Sequence, residues 1–351
     1  MLETKARENR KKFDELHAAL KRQSASRRRR VLSPAIVHDL LPTRISTLRA
    51  RATRADAGAC EARLAQVSSA YRDALASVSG AAKNLIRTDV QGVTWWVPAP
   101  RSLSRAARER FVAKQRFPYR TITQTREFSV GHILLDIGAN NGRMSIPRVI
   151  LGDIAQAYCA EPDPLNYAAL VRNVVDNGLS GLVLPDNVAI GATNGTAKLQ
   201  HAKYPGGHHL VHDAATNNAV NVACWRLDDW CEQLSIDPNL VAYVKVDTQG
   251  WEVQVLRGAP KLLGYRHIPW QLEVTPEMLA AAGDSAAELF RICAERFSHF
   301  VDLGKDVDGP RFRPVVELEE ALAYLGGPMP HTDIILFNAA DGLLEAEDEN
   351  V

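Results

Sequence analysis

His132-Ile-Leu-Leu-Asp136-Ile-Gly138-Ala-Asn140-Asn-Gly142 is the stretch that decides the fold. An apolar run that ends on an acid and breaks into glycine and asparagine reads as a buried strand followed by a tight turn. RMSIPRVILGD, from Arg143, then reads as a helix with Pro147 in or near its first turn. The same alternation continues outward. IAQAYCAEP (154–162) is a second strand, and Asp163-Pro164 opens a helix, with aspartate as the cap and proline as the first residue, that stops at Gly178. LVLPDNVAIG reads as a third strand, VAYVKVDTQG (241–250) as a fourth and HIPWQLEVTP (267–276) as a fifth. SAAELFRICAERF (285–297) has helical spacing, and HTDIILFNA (331–339) closes the pattern as a last strand. Such alternation implies an α/β fold, a doubly wound and mostly parallel sheet with helices on both faces.

In a sheet of that kind ligands bind at the carboxyl ends of the strands. The first strand ends in Asp136, Gly138, Asn140 and Gly142. A dinucleotide fingerprint counted from Gly138 requires glycine where Asn140 and Arg143 stand, so a pyrophosphate loop fits poorly. An acid two residues before the glycine, with a second glycine four residues after it, instead suits S-adenosyl-L-methionine, whose charged methionine end prefers a nearby carboxylate. The second strand ends at Glu161, which is placed to accept two ribose hydroxyls. Asp186 and Asn187, at the end of the third, are either contacts to an adenine edge or simply a turn. Lys245 and Asp247 share one face of the fourth strand, and charges inside a buried strand need partners.

LLDIGANNG, YCAEPDPLNYAALVRNV, DNVAIG, Leu227-Asp228-Asp229 and VKVDTQGWEVQVLRGA together resemble the FkbM family of S-adenosylmethionine-dependent methyltransferases, over about residues 130–338. The resemblance implies a Rossmann-like class I methyltransferase fold and O-methylation of a hydroxyl on a sugar, glycolipid or polyketide-like metabolite. It implies Asp136, Gly138, Gly142 and Glu161 as cofactor contacts, and their neighbours Asn140, Asp186 and Asn187 join them as candidates. The family hallmark usually reads Lys-Ile-Asp-Val-Glu-Gly, and here Gln249 stands in place of the Glu, with Asp247 and Glu252 as nearby acids.

The methyl acceptor needs a base. Asp247 is the first candidate, and His208 and His209, which follow Gly206-Gly207 on an expected mobile loop, are the second. His201, His208, His209, His212 and Asp213 cluster in sequence, but their spacing matches no metal site, and no metal is expected. The alternatives are a nucleic-acid methyltransferase or a cofactor-binding scaffold with reduced catalysis. No Asn-Pro-Pro-Tyr or Asp-Pro-Pro-Tyr stretch and no RNA-binding module supports nucleic acid as the substrate.

The 351 residues divide by charge. Residues 1–54 carry 15 basic and 5 acidic residues, a net of +10, against −9 for the remainder, and the tail 341–351 holds five acids. Residues 1–125 therefore read as a basic, mainly helical extension, 126–340 as the catalytic domain and 341–351 as an acidic tail. Residues 2–23 have a helical pattern, and from Thr47 to about Ile86 Leu64, Val67, Tyr71, Leu75 and Val78 form a second helical stripe. The arm is either a solvated face or inward contact, or a hold on an anionic surface. DVQGVTWWVPAP (89–100) breaks the helical pattern as a short strand whose Trp95 and Trp96 face opposite ways, one for the core and one free to stack on a sugar ring. Composition is that of an ordinary soluble chain, 46% hydrophobic and 24% charged, without an apolar run long enough for a membrane span. Five scattered cysteines fit reduced thiols, and the N-terminus lacks a signal-peptide pattern, so a cytoplasmic location is expected. The oligomeric state is left open.

Overall fold

The computed structural model describes residues 85–90, 93–98, 125, 128–129, 131–202, 207–211, 219–306, 310–326 and 331–338. The expected N-terminal helices up to residue 84, the basic arm, His212, Asp213 and the acidic tail lie outside the described residues.

The described chain opens with a hairpin, β1 (Leu85–Val90) and β2 (Val93–Pro98). Next come β3 (Gly131–Ile137), α1 (Ser145–Leu151), β4 (Ile154–Ala160), α2 (Pro164–Asp176) and β5 (Val183–Asp186). Four strands follow, β6 (Ala189–Gly191), β7 (Gly195–Gln200), β8 (His209–Val211) and β9 (Ala219–Arg226). Alternation resumes with α3 (Leu227–Gln233), β10 (Val241–Val246), α4 (Glu252–Arg257), β11 (Trp270–Val274), α5 (Pro276–Ala281) and α6 (Ala286–Arg296). β12 (His299–Asp302), β13 (Arg313–Pro314), α7 (Leu318–Ala321) and β14 (Thr332–Phe337) complete it.

The central sheet has eight strands in the order β13-β12-β14-β11-β10-β3-β4-β5. β3, β4 and β5 run parallel to one side, and the chain then crosses back to set β10 and β11, still parallel, on the other. β14 enters antiparallel between β11 and β12. The strand order therefore reverses between β3 and β10, and such a switch point opens a crevice at the carboxyl ends of the strands. One face of the sheet packs on α3, α4 and α6 through Leu227, Trp230, Val253, Leu256 and Leu289. The other packs on α1, α2 and the hairpin through Ile146, Ile150, Leu170, Val174 and Trp95. The doubly wound α/β architecture is the expected one.

Local chemistry sets the element ends. Asp163 caps α2 by accepting from the Leu165 and Asn166 amides at 3.0 and 2.8 Å, with Pro164 as the first helical residue. Ser285 caps α6 by accepting from Glu288 N at 3.1 Å.

The structure departs from the sequence reading in four places. LVLPDNVAIG is two strands, β5 in the central sheet and β6 in a second sheet ordered β6-β9-β7-β8. Asn187 makes the break, turning its side chain back to the Glu161 and Pro162 carbonyls at 2.8 and 3.1 Å. His209 begins β8, which pairs antiparallel with β7, so it is strand and not a free loop. Leu85 and Ile86 belong to β1, so the second helical stripe does not reach Ile86. Trp95 is buried as expected of one of the pair, but Trp96 is already engaged. Its indole N–H donates to Asp176 at 2.6 Å, and the Arg172 guanidinium lies 4.6 Å from its ring centre, so that face is not open to a sugar. No helix among the described residues is long and apolar enough to cross a membrane.

Asp228, buried at the start of α3, ties that helix to the chain after α4 by accepting from the Lys261 and Leu262 amides at 2.8 and 2.9 Å. Asp228→Ala strands both donors, so thermal denaturation should show a loss of about 2 kcal/mol, roughly 4–8 °C in melting temperature. An unchanged melting temperature would contradict this role.

Candidate functional site

A cavity of about 540 Å³ opens at the switch point. Its wall includes Gly138, Asn140, Glu161, His208, His209 and Asp247, six of the ten site candidates from the sequence, together with Lys245. Its apolar side is Val188, Ile190, Leu199 and Leu210, and Val97 and Pro98 of the hairpin close another edge.

The floor is organised around Lys245, which is 5% exposed. Its Nζ lies 3.1 Å from Asp247 Oδ2 and 3.7 Å from Asp136 Oδ1. Burial works against the ammonium, but Asp247 and Asp136 more than offset it and hold Lys245 charged. Asp136 is fully buried, accepts a short hydrogen bond from Ser145 Oγ and is not part of the cavity wall.

The two glycines of the β3 loop are required by packing. Gly138 has φ +79°, and a Cβ there would sit 1.9 Å from the Asp247 carbonyl oxygen. Gly142 has φ +83°, and a Cβ would meet Leu170 and Ile146 at 2.6 and 2.8 Å. Between them Asn140 is left-handed, φ 51°, a conformation asparagine tolerates better than most residues. Its backbone N–H donates to Glu161 Oε2 at 2.7 Å.

Glu161 sits at the end of β4 and is 5% exposed. Its other oxygen, Oε1, accepts from Asp163 N at 2.9 Å. Burial, helped by the Asp163 charge, outweighs these two amides and a hydrogen bond from the Asn166 side chain and pushes its carboxyl up to about 8. Asp186 and Asn187 are outside the cavity wall. Asp186 accepts from the Trp230 indole at 2.8 Å, and Asn187 braces the chain after Glu161.

At the β10 end three groups interlock. Burial would raise Asp247, but Lys245 and hydrogen bonds from Gln249, Lys245 and Glu273 hold it below the usual carboxylate range. Burial and the neighbouring Asp247 push Glu273 up to about 10, so it keeps its proton at neutral pH. Gln249 donates from Nε2 to Asp247 Oδ1 at 2.9 Å and to Glu273 Oε2 at 2.5 Å. It does so from a left-handed backbone, φ 56°. Glu252, raised to about 7 by burial, fixes the same loop, because its Oε1 accepts from Thr248 N and Oγ1 at 2.9 and 3.0 Å.

The two histidines differ. His208 Nδ1 accepts from Ala202 N at 3.0 Å, and its Nε2 faces Asp163 at 3.9 Å. Burial lowers its pKa, so the ring is neutral with its lone pair spent. His209 Nδ1 lies 3.1 Å from the Gly207 carbonyl. A carbonyl only accepts, so Nδ1 carries a proton. Among the described residues no group of three or more His, Cys, Asp or Glu side chains is arranged to hold a metal.

Sequence reading missed Glu273, Arg143 as part of the cavity wall, and Val97 and Pro98. The strand-end rule that found Glu161 also covers Glu273, near the end of β11. Nothing local to the hairpin's sequence announces its contact with the cavity.

Two outcomes follow from these charges. A carboxyl raised from 4.5 to about 8 stabilises the fold fully below the unfolded value and loses that contribution as pH rises through 8. Glu161→Gln cannot ionise, so its melting temperature relative to wild type should climb between about pH 5 and pH 9. A pH-independent difference would contradict the burial penalty. Gln249→Glu places a third acid between Asp247 and Glu273. It should lower the melting temperature, with a loss that grows over the same pH range, and a variant as stable as wild type at high pH would refute this reading of Gln249.

Residues 136–298 match the Methyltransferase FkbM domain family. No curated protein matches the sequence. Among solved structures, the methyltransferase FkbM from Methylobacillus flagellatus KT is 13% identical, with a TM-score of 0.37 over 60% of this chain and 44% of that one. The chain thus spans less than half the length of that protein. A protein of the NADB-Rossmann superfamily from Streptococcus agalactiae is 11% identical, TM-score 0.35, over 68% of this chain and 73% of that one. M. capricolum TrmK, solved with S-adenosyl-homocysteine, is 12% identical, TM-score 0.32, over 63% and 68%. Residues 136–298, a little under half of the chain, are thus similar to the FkbM methyltransferase domain.

Proposed function

We propose that the protein is an S-adenosyl-L-methionine-dependent O-methyltransferase whose acceptor is a hydroxyl of a sugar, glycolipid or polyketide-like metabolite. The observation that carries the reading is Glu161. Each of its oxygens takes one backbone amide, from Asn140 and from Asp163, and the Asn166 side chain supplies a third hydrogen bond, which leaves one of the carboxylate's four lone-pair sites for a hydroxyl of a ribose. The carboxylate lies in the wall of a cavity at the switch point, beside a left-handed β3 loop and an apolar wall suited to an adenine. The residues present therefore fit the cofactor.

Bound S-adenosyl-L-methionine supplies a methyl group already activated by its sulfonium. Glu161 binds the ribose, while Val188, Ile190 and Leu199 exclude water from the base. Asp247, held ionised by Lys245 and Gln249, places negative charge in the cavity, and its low basicity suits electrostatic stabilisation more than proton abstraction. That moves the base from Asp247 to His209, a residue of the cavity wall whose Nδ1 is engaged by the Gly207 carbonyl and whose Nε2 is the accepting nitrogen of the neutral ring. Holding the acceptor oxygen in line at near-attack distance is the larger task, and Thr248 and Gln249 offer it polar contacts.

Calorimetry with S-adenosylhomocysteine tests the cofactor half. Glu161→Ala removes a charge-assisted bond of about 1.5–3 kcal/mol, so affinity should fall at least roughly tenfold. Binding by wild type should tighten from about pH 6 to pH 8 as Glu161 ionises. A folded Glu161→Ala variant with unchanged affinity would overturn the assignment. Mass spectrometry of glycan and glycolipid extracts, from cells with and without the protein, should reveal one methyl increment on the acceptor.

A further inference from the structure

Resting on that reading, we infer that Asn173 is a positioning residue that couples the β1–β2 hairpin to the cofactor loop, so that ligand binding and hairpin docking reinforce each other. Asn173 lies on α2 and is fully buried. Its Oδ1 accepts from Trp96 N at 2.5 Å. Its Nδ2 donates to Trp96 O at 3.1 Å and to Asn141 O at 2.8 Å. One amide thus grips the hairpin and the β3 loop together. Asn177, one turn later, pairs with Thr94 in the same way, accepting from its N at 3.0 Å and donating to its O at 2.7 Å. The two side chains act on β2 as the backbone of a neighbouring strand would, satisfying alternate residues along it.

The difference between the two asparagines is the basis of the inference. Asn177, the C-cap of α2, spends its remaining donor on the Asn173 carbonyl of that helix. Asn173 spends its own on the loop whose preceding residue, Asn140, is left-handed and bonded to Glu161. A continuous path therefore runs from Trp96 through Asn173 and the loop to Glu161. The hairpin also reaches the site directly, because Val97 and Pro98 stand in the cavity wall. It lies outside residues 136–298, the stretch that matches the family domain. Coupling of this kind is reciprocal: whatever fixes the loop also fixes the hairpin.

Hydrogen exchange and calorimetry on the full chain test it with S-adenosylhomocysteine as the probe. Ligand should slow exchange of the Thr94 and Trp96 amides in wild type. Asn173→Ala should bind about fivefold more weakly or worse and lose that protection. Asn177→Ala, which forfeits the matching pair of hairpin bonds, should keep affinity within about twofold. Two results would overturn the coupling: ligand-insensitive hairpin exchange in wild type, or equal losses of affinity in the two variants, the mark of a merely structural role. Wild type that fails to bind S-adenosylhomocysteine at all would instead refute the cofactor reading, and the coupling with it.

Discussion

Lys245 is a buried cation between two carboxylates, and the site is arranged around its need for them. It lies in register with Asp136 across the β10–β3 ladder, where the strand order reverses, and two residues before Asp247, which follows the end of β10. Removing either partner would leave charge uncompensated in the interior, a far larger penalty than the pair's net contribution to stability. The pair also fixes what surrounds it. Asp247 N donates to Ile137 O at 2.9 Å, and its carbonyl lies so close to Gly138 that no side chain fits there. The glycine of the motif thus answers first to the neighbouring strand and only then to a ligand.

The acids next to Lys245 outnumber the cations. Asp247 and Glu273 lie close enough to be held apart in basicity, one ionised and one protonated, and Gln249 donates to both. In this setting Gln249, where the family usually has Glu, serves as a neutral donor that avoids a third charge. The change does not strip the site of acids. It leaves Asp247 ionised in the cavity wall.

Features whose cause is local were legible in the sequence. The Asp163-Pro164 cap, the strand ending at Asp136 and the carboxylate at Glu161 each rest on residues within a few positions of one another. The parallel order followed from alternation alone. The second sheet was not legible, because β6 and β9 are separated by more than twenty residues, β7 is largely exposed and β8 has only three residues. A polar break at Asn187 inside one apolar run does not reveal that its halves join different sheets. The hairpin's role was equally hidden, since Trp96 finds Asp176 and Asn173 only once α2 has been placed. Asp186 shows the opposite error. A polar residue at a strand end looks available for a ligand, and only the fold shows that it is bonded to Trp230.

The central claim is that the carboxylate at the end of β4 reads a ribose in the switch-point cavity. A crystal structure of the chain with S-adenosylhomocysteine measures this directly. The account predicts a ribose hydroxyl within hydrogen-bond distance of Glu161, with its bonds to Asn140 N and Asp163 N retained. Ligand bound elsewhere, or seated in the cavity with its ribose away from Glu161, would contradict it.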